Sequence, residues 1–185
     1  MRSLIAALLL ALLSACQTLP PPASLPLLQL APSAFGAELS LAQRLTVTDA
    51  PEDPNGAVTE RQLDTLLQVD AQQLQLAGLA FGQRVLTLQW DGRELQVKRH
   101  LMLPAAVDPV RVLRDVALVF APLPALQAAL PAGWTLEEAG NERTLRQAGE
   151  TRLTVRYLDG RKRVEIDNRA EHYQLRIESR SLEGG

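Results

Sequence analysis

The apolar residues of this chain change period twice, and that change constrains the fold more than any other feature. Over residues 38–48, Leu39, Leu41, Leu45 and Val47 alternate with Ser40, Arg44, Thr46 and Thr48. A two-residue period is that of a strand with one buried face. DAPEDPNG (residues 49–56) is a turn or loop by composition. Residues 62–69 and 73–77 read as the next two strands, joined near Asp70-Ala71. Residues 83–103 read as a hairpin about Asp91-Gly92, a dipeptide suited to a two-residue type I′ turn. In that register Leu88 faces Leu95 and Leu86 faces Val97, while Gln89 faces Glu94 and Thr87 faces Gln96. Both strands then agree on which face is buried.

At Asp108 the period lengthens. Asp108-Pro109 reads as an N-cap followed by proline at the first helical position. Val112, Leu113, Val116, Val119 and Phe120 recur at helical spacing, with Arg111, Arg114 and Asp115 opposite. Pro122 ends this helix. PALQAAL (residues 124–130) reads as a shorter second helix, closed by Pro131 and Gly133. After Trp134 the two-residue period returns: Leu153, Val155 and Tyr157 alternate, Asp159-Gly160 turns the chain, Val164 and Ile166 alternate on the return, and a last strand carries Tyr173, Leu175 and Ile177.

Strands joined by hairpins must pair antiparallel, and a sheet with one apolar face must bury it. The inserted helices are the available cover. The expected fold class is α+β, mainly antiparallel β: a curved, incomplete β-barrel with one or two inserted helices over the concave face. The space between sheet and helices is then a candidate apolar cavity, with Leu86, Leu88, Trp90, Leu95, Val97, Leu101, Val116 and Phe120 as its candidate lining.

The amino terminus reads MRSLIAALLLALLSAC. Arg2 precedes an apolar run over residues 4–13, and Ser14 and Ala15 precede Cys16, the one cysteine of the chain. That is the anatomy of a signal peptide, and the run is shorter than the roughly 20 apolar residues that span a bilayer. Leu-Ser-Ala-Cys resembles a bacterial lipobox, in which the cysteine thiol receives a diacylglycerol and becomes the new amino terminus. Two or more acyl chains anchor firmly, at about 0.8 kcal/mol per buried CH₂. Gln17, where enterobacterial lipoproteins retained at the inner membrane carry Asp, points to the periplasmic face of the outer membrane. Pro20, Pro21, Pro22, Pro26 and Pro32 follow, and proline-rich chain is extended. The expected organisation is a signal peptide over residues 1–15, a lipidated Cys16 with a tether over residues 16–34, and one domain over residues 35–185. With Cys16 acylated, no disulfide forms within the chain.

Charge excludes one class of partner. The net charge is −2, whereas a nucleic-acid footprint needs a clustered basic excess. Catalytic and metal signals are also thin. His100 falls on the polar face of its strand, and His172 precedes the last strand; they are not at ligand spacing. No Gly-x-Ser-x-Gly elbow or phosphate-binding glycine loop occurs. Asp159 and Asp167 read as turn residues, and DGRKR (residues 159–163) as a solvated turn. The expectation is a non-enzymatic protein with no cofactor and no metal.

The order of elements resembles the LolA/LolB superfamily of periplasmic lipoprotein-localisation factors. LAGLAFGQRVLTLQWDG (residues 76–92) is similar to that family's strand, glycine-flanked apolar loop, strand and turn. VEIDNRAEHYQLRIES (residues 164–179) is similar to its last two strands. GWTLEEAGNERTLRQAGETRLTVRYLDG (residues 133–160) and the lipobox also resemble short lipoproteins encoded beside aryl polyene and fatty-acid-like biosynthesis genes. The resemblance implies acyl chains held between sheet and helices, a membrane-entering loop at Phe81 with Leu79 beside it, and a periplasmic carrier as a candidate partner. The function it implies is acceptance of an acyl or lipid cargo, whether lipoprotein, glycolipid or polyene lipid, for envelope localisation. The alternative is a structural or assembly lipoprotein that recruits an envelope protein.

Overall fold

The computed structural model describes residues 25–49, 58–104 and 107–182. The expected signal segment and Cys16 lie outside the described residues. The first five strands are β1 (Leu39–Asp49), β2 (Thr59–Val69), β3 (Leu74–Ala80), β4 (Gln83–Trp90) and β5 (Leu95–Arg99). Two helices follow, α1 (Pro109–Phe120) and α2 (Leu123–Ala129). The chain then forms β6 (Trp134–Ala139), β7 (Glu142–Gln147), β8 (Glu150–Tyr157), β9 (Arg163–Asn168) and β10 (Tyr173–Ser181).

All ten strands join one antiparallel sheet, in the order β5-β4-β3-β2-β1-β10-β9-β8-β7-β6. The first and last strands meet in the middle, where Leu45 pairs with Leu63 on one side and Ile177 on the other. β5 and β6 are the two edges and do not pair with each other, so the sheet is curved and open. The helices take the chain from one edge to the other. That crossing is why they lie over the concave face, as expected.

One turn differs from expectation. The β4–β5 register pairs Leu88 with Val97 and Trp90 with Leu95, a shift of two residues. The loop is therefore four residues long. Asp91 Oδ1 accepts from the amides of Arg93 and Glu94, both at 2.7 Å, and these bonds hold its carboxyl below the usual range. That side-chain turn outcompetes the two-residue type I′ turn. A shift of two preserves the faces, so the apolar side stays apolar. The type I′ geometry occurs one hairpin earlier. Phe81 and Gly82 have φ of +52° and +74°, between the paired Ala80 and Gln83.

Helix α1 starts as expected, with Asp108 Oδ1 accepting from the Val110 amide at 2.9 Å. Its carboxyl end is bolted to the sheet. Arg143 of β7 donates to the carbonyls of Leu118 (2.8 Å) and Ala121 (2.9 Å), and the Tyr157 hydroxyl donates to Val119 O at 2.8 Å. These are carbonyls a helix leaves unsatisfied at its end, and a cation there complements the helix dipole. Contrary to expectation, Arg114 and Asp115 are not on a solvated face: both are buried.

The chain amino-terminal to β1 is also different. Leu25, Leu28, Leu30 and Phe35 are buried in the core. The Trp90 indole donates to Leu30 O at 2.7 Å, and Gly92 lies against Ala31 and Pro32. Residues 25–34, expected as part of the tether, thus contribute side chains to the core. Those residues are leucines between prolines, and burial of their side chains outweighs the extended bias of the prolines.

Candidate ligand-binding cleft

One half of the concave face is packed and the other half is not. Leu67, Val69, Leu74, Leu86, Leu88 and Trp90 form a closed core with the amino-terminal segment and the end of α1. Beside it, between α1 and the middle of the sheet, lies a cleft of about 440 Å³. Leu45 and Val47 of β1, Leu63 of β2, and Leu175 and Ile177 of β10 line it from the sheet. Val112, Val116 and Phe120 of α1 line it from above, and Met102, Leu103, Pro104 and Val107 of the β5–α1 connection line one side. Arg99 ties that connection down by donating to the carbonyls of Val107, Pro104 and Leu103.

The candidate lining residues divide accordingly. Val116 and Phe120 do line the cleft. Leu86, Leu88 and Trp90 are buried in the packed half instead. Leu95 packs half-buried against that core. Val97, on the edge strand β5, is 39% exposed, and Leu101, in the turn beyond it, is fully exposed. Leu79 is half-buried on β3. Phe81 is 95% exposed at the hairpin tip and also borders the cleft.

The open end carries charge. Arg114 is 1% exposed and makes five hydrogen bonds. Nε and Nη2 donate to Asp115 Oδ1 at 3.1 and 3.0 Å. Nη1 and Nη2 donate to the two Glu171 carboxylate oxygens at 2.8 and 2.9 Å. Nη2 also donates to the Tyr173 hydroxyl at 2.9 Å, which itself donates to Asp115 Oδ2 at 2.6 Å. Asn168 Nδ2 adds a bond to Glu171 at 3.2 Å. Burial works against the charge on Arg114, but Asp115 and Glu171 outweigh it and hold the guanidinium above its ordinary range. Burial raises the Asp115 carboxyl, against the pull of Arg114 and the Tyr173 hydroxyl. Burial and then the Asp115 charge raise the Tyr173 phenol.

This cluster escaped sequence reading because its members lie 57 to 59 residues apart. The remaining cleft lining was legible in part: Leu45, Val47, Leu175 and Ile177 all sit on strand faces read as buried. Among the described residues, no group of three His, Cys, Asp or Glu is placed to hold a metal. His100 and His172 stand exposed on separate turns.

The structure thus combines an open antiparallel sheet, a helix across it and an apolar cleft with charged groups at its mouth. The chain belongs to the family described as "Protein of unknown function (DUF3261)", whose model matches residues 40–181. No curated protein matches the sequence. Among solved structures, a LolA superfamily protein, NE2245 from Nitrosomonas europaea, is similar at 11% identity, covering 88% of this chain and 96% of that one with a TM-score of 0.39.

Proposed function

We propose that this protein is a periplasm-facing lipoprotein, anchored in the outer membrane through Cys16, that binds an acyl or lipid cargo in the cleft under α1. It acts by binding and handing on rather than by catalysis. The observation that carries the reading is the cleft itself: about 440 Å³ of space between two apolar faces, within the range of small-molecule pockets. The lipobox resemblance supplies the location, and the LolA/LolB resemblance of residues 76–92 and 164–179 supports the cargo class.

Phe81 is the proposed membrane contact. A non-glycine residue in the left-handed region costs roughly 1–2 kcal/mol, and an exposed aromatic ring adds no packing in return. A position that holds such a residue at the mouth of an apolar cleft is read as functional. The assembly alternative draws support from β5, an exposed edge strand bearing Val97 with Leu101 just beyond it.

The test is recovery of ligand. The full chain with Cys16→Ser is purified from the periplasm without detergent and examined by native mass spectrometry, with an organic extract of the same sample. A stoichiometric acylated adduct, such as a polyene lipid, supports the carrier and begins to name the cargo. An empty protein that takes up no fluorescent fatty acid, yet crosslinks to a protein through Val97 or Leu101, supports assembly.

A further inference from the structure

The size of the cleft and the state of its charges say which acyl ligand fits. This inference rests on the carrier reading. An apolar cavity of about 150 Å³ holds one benzene, or about 25 Å³ per carbon. At that density 440 Å³ accommodates about 17 carbons. A single long acyl chain fills it, whereas the three chains of a triacylated lipoprotein need roughly 1,200 Å³.

The mouth distinguishes between head groups. Glu171 and Asp115 spend their oxygens on Arg114, Asn168 and Tyr173, and Asp108 Oδ1 caps the helix. Arg111 lines the mouth with its side chain 45% exposed. Its ion-pair contacts to Glu171 (3.5 Å) and Asp108 (3.9 Å) both run through Nε and are longer than the roughly 2.7–3.2 Å of a good hydrogen bond. A guanidinium without a short acceptor, beside carboxylates that already have donors, attracts an anion with a planar or tetrahedral oxygen set.

We infer that the cleft takes one single-chain acyl anion, its tail between Val47 and Val116 and its carboxylate or phosphate at Arg111. A free fatty acid and a lysophospholipid share that chemistry.

The experiment titrates the full chain carrying Cys16→Ser with five probes, read by native mass spectrometry and competition with a fluorescent fatty acid. The probes are palmitate, palmitoyl lysophosphatidic acid, hexadecanol, dipalmitoyl phosphatidic acid and a tripalmitoylated peptide. The expected result is one palmitate or one lysophosphatidate per chain, the tighter of the two naming the head. Hexadecanol should bind about tenfold more weakly, and Arg111→Gln should remove that tenfold preference while leaving hexadecanol unchanged. The two- and three-chain probes should not compete. Equal competition by either of them, two palmitates per chain, or a head-group preference that survives Arg111→Gln overturns the inference while the carrier reading stands. Binding of none of the five overturns both.

Discussion

Replacing Arg114 by methionine keeps the volume of the side chain and removes its charge. The structure gives Arg114 five hydrogen bonds at 1% exposure, and the substitution leaves Asp115 and Glu171 without their cation. Breaking one side of a buried ionic cluster costs about 3–5 kcal/mol, a large share of the roughly 5–15 kcal/mol that holds a domain folded. With an m-value near about 2 kcal/mol/M, the urea midpoint should fall by about 2 M. The pH dependence identifies the cause. The folded Asp115 carboxyl lies above its unfolded value. Between those two values the folded state holds the extra proton, so this group's contribution is full below the unfolded pKa and is lost as pH rises through the folded one, at up to about 1.4 kcal/mol per unit. Without Arg114 the carboxyl rises further. The deficit of Arg114→Met should therefore be largest at pH 8 and smaller at pH 5.5, and adding Asp115→Asn should flatten that difference. A midpoint loss under about 0.3 M, or the same loss at both pH values, refutes the reasoning.

Four further variants have expected outcomes. Phe81→Asn should raise stability by about 1 kcal/mol, because asparagine tolerates φ of +52°, and should reduce flotation with anionic vesicles. Starting the chain at Pro32 removes Leu25, Leu28 and Leu30, worth about 1.5–3 kcal/mol each on burial; circular dichroism should show no cooperative melt, while Trp90→Phe, which loses the bond to Leu30, should cost about 1 kcal/mol. Val112→Trp should fill the cleft and abolish uptake of a fluorescent fatty acid, with Tm within a few degrees of the parent, since the site has room for the ring.

The strands and the first helix were legible because their burial follows local period. β1, β2, β8 and β10 carry runs of alternating apolar residues, interrupted inward by Gln43 in β1 and Thr65 in β2, and α1 announces itself at Asp108-Pro109. β7 was not legible. Its two inward positions are Arg143 and Leu145, and the first is charged because it satisfies carbonyls of α1. A period of two cannot register an arginine whose partner is a helix terminus 22 residues earlier. The same limit hid Arg114 and Asp115: read alone, they mark a solvated face, and only Glu171 and Tyr173 make their burial tolerable. The β4–β5 register failed for a local reason. Asp91-Gly92 is a hairpin signal, but the Asp91 carboxylate found two amides and made a longer loop.

The cleft was visible in the sequence only as an apolar face, since Leu45, Val47 and Leu63 follow the same alternation as Leu67, Val69 and Leu74. What separates the two sets is the material opposite them. Over Leu67, Leu74 and Trp90 the amino-terminal segment packs, held at Leu30 by the Trp90 indole and at Ala31 and Pro32 against Gly92. Over Leu45, Val47 and Leu63 lie α1 and the β5–α1 connection; Arg114 ties the middle of α1 to Glu171 in the β9–β10 turn, and Arg143 of β7 ties its carboxyl end. A helix tied at its middle and at its carboxyl end is held from settling further onto the sheet, and side chains left across a gap lose their dispersion contacts. Residues 25–34, expected as tether, are therefore the plug of this half of the fold. With the plug in place, the apolar face divides into a core and a cleft, and the cleft is the part that Phe81 and Arg111 border.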